Sequence, residues 1–149
     1  MGVLLSELQI ALNDVVVGCL EAADGHEAAA GMLEDDDRLA GRLRDLARAR
    51  RAAADELGEV IRALGDLPPA PDADLEAARE LASLVKAALS PDQRQTLMQE
   101  RAAAEARLEA CTAQALARAD LPEAARGALL GLFASSRDAC ERLARGAPD

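Results

Sequence analysis

Apolar residues recur along this chain in alternating steps of three and four, the spacing that keeps one face of an α-helix turned toward a partner. The clearest stripe runs Leu39, Leu43, Leu46, Arg50, Ala53, Leu57, Val60 and Leu64. An earlier one runs Leu5, Leu8, Leu12, Val15, Cys19, Ala22, His26 and Ala29, and predicts a first helix over about 4–32. Two later stripes hold Leu97, Met98, Arg101, Ala104, Glu105, Leu108, Cys111, Ala115 and Leu116, then Leu129, Leu132, Phe133, Ser136, Cys140 and Leu143. Val15-Val16-Val17 is the one β-like run, and it lies inside a helical period.

Punctuation divides the stripes cleanly. Asp35, Asp36 and Asp37 offer an N-cap and a negative first turn to a second helix, which runs to Leu64 and stops at Gly65. Leu67-Pro68-Pro69-Ala70-Pro71 cannot be helical. Ser90-Pro91-Asp92 reads as N-cap, proline in the first turn and acid beside it, opening a third long helix to about Ala119. Asp120-Leu121-Pro122-Glu123 restarts the chain into a fourth, ended by Gly146 and Pro148. Between the second and third, residues 74–89 carry Leu75, Ala78, Leu81, Ala82, Leu84, Val85 and Leu89, a shorter amphipathic helix. Its ~16 residues span roughly 24 Å. That is enough to carry the chain back along a bundle, so that the second and third long helices run parallel around one long crossover. The expectation is an all-α, ferritin-like four-helix bundle with a short crossover helix, formed by residues 1–149 as one domain. An up-down-up-down bundle is the alternative topology.

Composition narrows the function. Half of the 149 residues are hydrophobic but only 1% are aromatic, with Phe133 alone and no Trp or Tyr. Such a core is built from Leu, Val and Ala, and offers no stacking platform for bases or flat cofactors. A net charge of -10 disfavours nucleic acid and an anionic membrane surface. The cluster Arg42, Arg44, Arg48, Arg50 and Arg51 reads as a helix face tied to neighbouring acids. Cys19, Cys111 and Cys140 form no Cys-x-x-Cys pair, and an odd count points to a reducing compartment with buried thiols. With no signal-like start and no spanning apolar run, a cytoplasmic location is expected. Gly25, Gly31, Gly41 and Gly58 stand singly in helices, as expected for close packing.

Four polar residues occupy core stripes: His26, Arg50, Glu105 and Ser136. In a parallel arrangement of the second and third helices, Arg50 and Glu105 fall at nearly equal height. A buried guanidinium then requires a partner, so Arg50 is expected to bond Glu105 and to reach Ser136. His26, near its helix end, is expected to keep its ring in the core and a nitrogen at the rim, with Glu27 facing solvent. The only other carboxylates expected to face inward on the first helix are Glu21 and Asp24. No nucleophile-base pair, phosphate-cradling glycine loop or zinc-ligand spacing appears.

Certain local runs resemble a known family. Leu12-Asn13-Asp14, Asp24-Gly25 followed by His26-Glu27-Ala28-Ala29, Ala54-Asp55-Glu56-Leu57 and Leu84-Val85-Lys86-Ala87-Ala88-Leu89 are similar to bacterial ferritin-like four-helix-bundle proteins related to the YciF-type stress proteins. The likeness extends over about residues 8–145, and implies an often oligomeric bundle. This chain departs from the dimetal pattern, which takes Glu from two helices and Glu-x-x-His from the other two. Arg50 and Ala53 stand in the second helix, and Ser136 and Ala139 in the fourth. The expectation is a non-catalytic bundle without metal or cofactor, acting by homo-oligomerisation (a dimer) or by docking another protein, under stress as the resemblance implies. A ferritin-like oxidase or metal store is one alternative. A phasin-like coat of hydrophobic inclusions is the other.

Overall fold

In a computed structural model that describes residues 6–33, 35–69 and 89–146, the chain forms four long α-helices. They are α1 (Glu7–Met32), α2 (Asp37–Ala63), α3 (Pro91–Leu116) and α4 (Glu123–Ala144). Among the described residues there is no strand, and no helix is long and apolar enough to cross a membrane.

Helix starts follow the capping chemistry of the sequence. Ser6 Oγ accepts the Gln9 amide at 3.1 Å while Gln9 Oε1 accepts the Ser6 amide at 2.9 Å. The same reciprocal box joins Ser90 and Gln93, at 3.2 and 2.9 Å. Each box satisfies two amides that a helix start otherwise leaves without partners. Asp36, the middle of the three acids, caps α2 by accepting from the Leu39 amide at 3.1 Å. At the other end of α2 the chain turns through Gly65, whose φ of +85° suits a residue without a side chain. Helix α3 stops at Leu116 rather than near Ala119, because Leu121 folds back into the core and Arg118 locks onto Asp120 (Nε–Oδ1 3.0 Å).

Packing fixes the topology. Helix α1 lies against α2 and α3, and α4 lies against α3 and α2, leaving α1–α4 and α2–α3 as the diagonals of a square. Arg94, in the first turn of α3, bonds Asp36 at 3.0 Å and Asp35 at 2.8 Å beside the start of α2. Helices α2 and α3 therefore begin at the same end and run parallel. The end of α2 and the start of α3 thus lie at opposite ends of the bundle. The short helix expected over 74–89 lies outside the described residues.

Two apolar clusters fill the interior. One gathers the beginning of α1, the end of α2, the end of α3 and the beginning of α4, around Leu12, Val15, Leu57, Ile61, Leu108 and Leu129. The other gathers the opposite ends, around Ala30, Leu33, Leu43, Leu97, Met98 and Leu143. Full burial of each such leucine contributes about 1.5–3 kcal/mol relative to exposure.

The buried face of α2 differs from the stripe read in the sequence. It consists of Leu39, Ala40, Leu43, Ala47, Arg50, Ala54, Leu57, Gly58 and Ile61. Leu46, Ala53 and Val60 are half-buried, and Leu64 is exposed. From Leu39 through Leu43, Ala47, Arg50, Ala54 and Leu57 to Ile61 the steps are mostly four, closer to the 3.6 period of a straight helix than to the 3.5 of a supercoil. Small residues on that face let α1 and α2 lie close together. At Gly18 of α1 an added Cβ would lie 3.1 Å from Leu108 Cδ1, which marks a comparable approach of α1 to α3. Gly31 and Gly41 border open space instead, so close packing does not account for them.

Candidate functional site

Midway along the bundle, between the two apolar clusters, each of the four helices contributes to one polar layer. It is built on Glu105 of α3. Arg50 of α2 donates Nε–H to Oε1 at 2.9 Å and to Oε2 at 3.1 Å, and Nη2–H to Oε1 as well. His26 of α1 places Nε2 3.0 Å from Glu105 Oε2. Arg50 Nη1 reaches Ser135 Oγ of α4 at 3.0 Å. The three central side chains are sealed from solvent, with His26 and Glu105 at 0% exposure and Arg50 at 1%.

Electrostatics decide the protonation pattern. Burial alone would push the Glu105 carboxyl up. The hydrogen bonds from His26 and Arg50, with the Arg50 charge beside them, overcome burial and hold it below its ordinary value of 4.5. At neutral pH Glu105 is an anion and can only accept hydrogen bonds, so His26 donates through Nε2–H. The charges of Arg50 and Glu105 cancel, as a buried pair must in order to persist in the low-dielectric interior. Nearby Cys19 is fully buried, and burial pushes its thiol up to about 12 despite the opposing field of Arg50. A thiol held that high is not a nucleophile near neutral pH.

Second contacts brace this layer. Arg51, next in sequence to Arg50, bridges α2 to α1 through Glu27 at 2.7 Å and Asp24 at 3.2 Å. Thr112, buried one turn past Leu108, donates to the Leu108 carbonyl at 2.7 Å. On the core-facing side chains His26 and Ser136, the buried Nδ1 and Oγ have no hydrogen-bond partner.

Several placements differ from the sequence reading. Ser136 is buried, as its stripe position requires, yet its neighbour Ser135 is the residue that Arg50 bonds. Ser135 stands one position before Ser136 on α4, and Arg50 Nη1 reaches it across the contact between α2 and α4. His26 is not at a rim, because the cluster of Leu33, Leu43, Leu97 and Met98 closes the bundle beyond it. Glu27 is half-buried and paired rather than solvated. Glu21 is exposed and Asp24 is engaged by Arg51, so neither shares a site with Glu105. Inward-facing Cys19, Ala22 and His26 leave Glu21 turned well away on the helix. Of the clustered arginines, Arg48 pairs with Asp45 within α2, while Arg50 and Arg51 point to different partners, so they form no common basic strip.

A dimetal centre would need several carboxylates and imidazoles converging on shared ions. Here the one carboxylate buried among the described residues has its lone pairs taken by Arg50 and His26. The donor set does not fit such a centre. Among the described residues no three His, Cys, Asp or Glu side chains gather closely enough to hold a metal ion. Cys19, Cys111 and Cys140 are free thiols. Comparison of the chain with protein-family models, with curated proteins and with solved structures finds no match in any of the three.

Proposed function

We propose that this chain is a ferritin-like bundle in which a buried ion-pair layer takes the place of a metal centre, and that it acts without catalysis, by self-association or by docking another protein. The observation that carries this reading is the His26–Glu105–Arg50 layer, which is closed to solvent and neutralised from within. Groups so placed can set the register and pairing of four helices, because any slip would strand a buried charge. They have no route to a substrate. The topology supports the reading too, since the parallel α2 and α3 require a long crossover of the kind found in ferritin-like bundles.

Self-association draws support from the outer face of α1. Ile10 and Val17 are exposed, at 47% and 38%, and stand seven residues apart on the same face. A dimer through this face would cover both. Native mass spectrometry at high micromolar concentration is expected to show a dimer, and Ile10→Glu together with Val17→Glu should return it to monomer. A wild-type chain that stays monomeric across that range overturns the proposed self-association.

Metal independence is a separate expectation of the same reading. Thermal unfolding with and without a chelator should superimpose, since structural metals contribute folding energy that chelators remove. A reproducible fall in Tm on chelation would show a metal contribution and count against the ion-pair layer as the whole of the centre.

A further inference from the structure

On the outer side of the α1–α3 seam lies a groove of about 230 Å³ that the buried layer does not use. Its α3 wall carries Arg101 and Arg107, and its α1 wall carries Asp14 and Glu21. None of these four forms an ion pair or a side-chain hydrogen bond among the described residues. Most other arginines of this acidic chain are paired, so two unpaired guanidiniums on one wall stand out. Opposite charges also face each other across the groove at more than ion-pair distance.

Arg101 is seated in a specific way. Its Nε and Nη1 are buried without hydrogen-bond partners. The guanidinium lies against the backbone of α1 at Gly25, where an added Cβ would come within 1.8 Å of Nη1. Only glycine leaves room for it. Desolvation lowers the Arg101 pKa, with Arg107 nearby adding to the effect against the opposing charges of Glu100 and Glu105. A guanidinium that has lost water and formed no ion pair is costly, and an oxyanion bonded to it offsets that cost.

We infer that this groove binds a small zwitterion, with its oxyanion on Arg101 and Arg107 and its ammonium between Asp14 and Glu21. A phosphate or carboxylate is the chemistry a guanidinium pair recognises. An ammonium on a short stem answers the facing acids. The groove volume suits a molecule of a few heavy atoms rather than a polymer. Val17 borders both this groove and the face proposed for self-association, so binding is to be measured at a concentration below that at which the chain dimerises.

Isothermal titration at constant ionic strength tests it with three probes: O-phosphoethanolamine, inorganic phosphate and ethanolamine. Saturable binding of O-phosphoethanolamine is expected at about millimolar concentration or below, with phosphate weaker and ethanolamine weaker still. Arg107→Gln, at an exposed position, should weaken it by about tenfold. Gly25→Ala should remove the seat of Arg101 and weaken binding comparably. The fold should hold, because the group displaced is the far end of a flexible side chain and Ala is a better helix former than Gly. Asp14→Asn with Glu21→Gln should bring O-phosphoethanolamine down to the affinity of phosphate. Absence of saturation, or binding insensitive to Arg107→Gln and Gly25→Ala, overturns the site. Equal affinity of the wild type for O-phosphoethanolamine and phosphate overturns its two-walled character.

Discussion

Replacing Arg50 with Met should lower the unfolding free energy by about 3–5 kcal/mol, measured by urea denaturation at neutral pH. The loss is that of stranding the Glu105 anion in a core layer that excludes water, with only the His26 N–H left to answer it. Glu105→Leu should cost a similar amount for the converse reason, since Arg50 would keep only Ser135. The double variant Arg50→Met, Glu105→Leu removes both charges and should recover most of the loss, because apolar residues of similar volume can replace a buried pair at little net cost. Such recovery is a coupling between two helices that lie diagonally across the bundle, α2 and α3. Additive single losses would mean that the two charges are not each other's partners.

Much of this architecture was legible because helices are local objects. Ser6, Asp36, Ser90 and Gly65 announce their ends through hydrogen bonds formed within a few residues. The stripe Leu12, Val15, Cys19, Ala22, His26, Ala29 in α1 is buried throughout, since 3.6-residue geometry alone sets which side chains share a face. Polar residues within such stripes could be singled out for the same reason, and Arg50 and Glu105 could be set at one height once α2 and α3 were taken as parallel.

What escaped depends on distances between helices. Ser135 sits beside the stripe rather than on it, and becomes a partner only because the Arg50 side chain is long enough to reach α4. Thr112 and Ala102 are buried where the stripe pattern favoured Cys111 and Arg101, a rotation of part of a turn that depends on how near α1 comes to α3. The unpaired state of Arg101 could not be read from the sequence, because Glu105 stands four residues on and is taken by Arg50 instead; Arg107, whose neighbours at helical spacing are Ala103, Ala104, Ala110 and Cys111, did carry that signal. A signal did exist in Gly25 beside His26, but its meaning depends on a side chain 76 positions away in the chain.

Acid should unfold this bundle in a way that identifies Glu105 individually. Its folded-state pKa lies below the ordinary 4.5, because the bonds from His26 and Arg50 outweigh burial. For a depressed acid the stabilising contribution is complete above the unfolded pKa and is lost as pH falls through the folded one. Between those two values the unfolded chain holds one more proton than the native chain, so stability falls by up to about 1.4 kcal/mol per pH unit from this group. The other acids complicate a simple titration. As pH falls from 7 toward the pI near 4.6, the net charge of -10 shrinks and general repulsion relaxes, which stabilises the compact state. Glu105→Gln separates the two effects, since Gln keeps the shape and an acceptor for Arg50 but cannot ionise. The stability difference between wild type and Glu105→Gln should be greatest and flat above pH 4.5. It should then narrow steadily as pH falls, because a protonated Glu105 resembles the amide. Two curves that remain parallel down to acid unfolding would mean that the ionised carboxylate at the centre of this layer does not hold the bundle together.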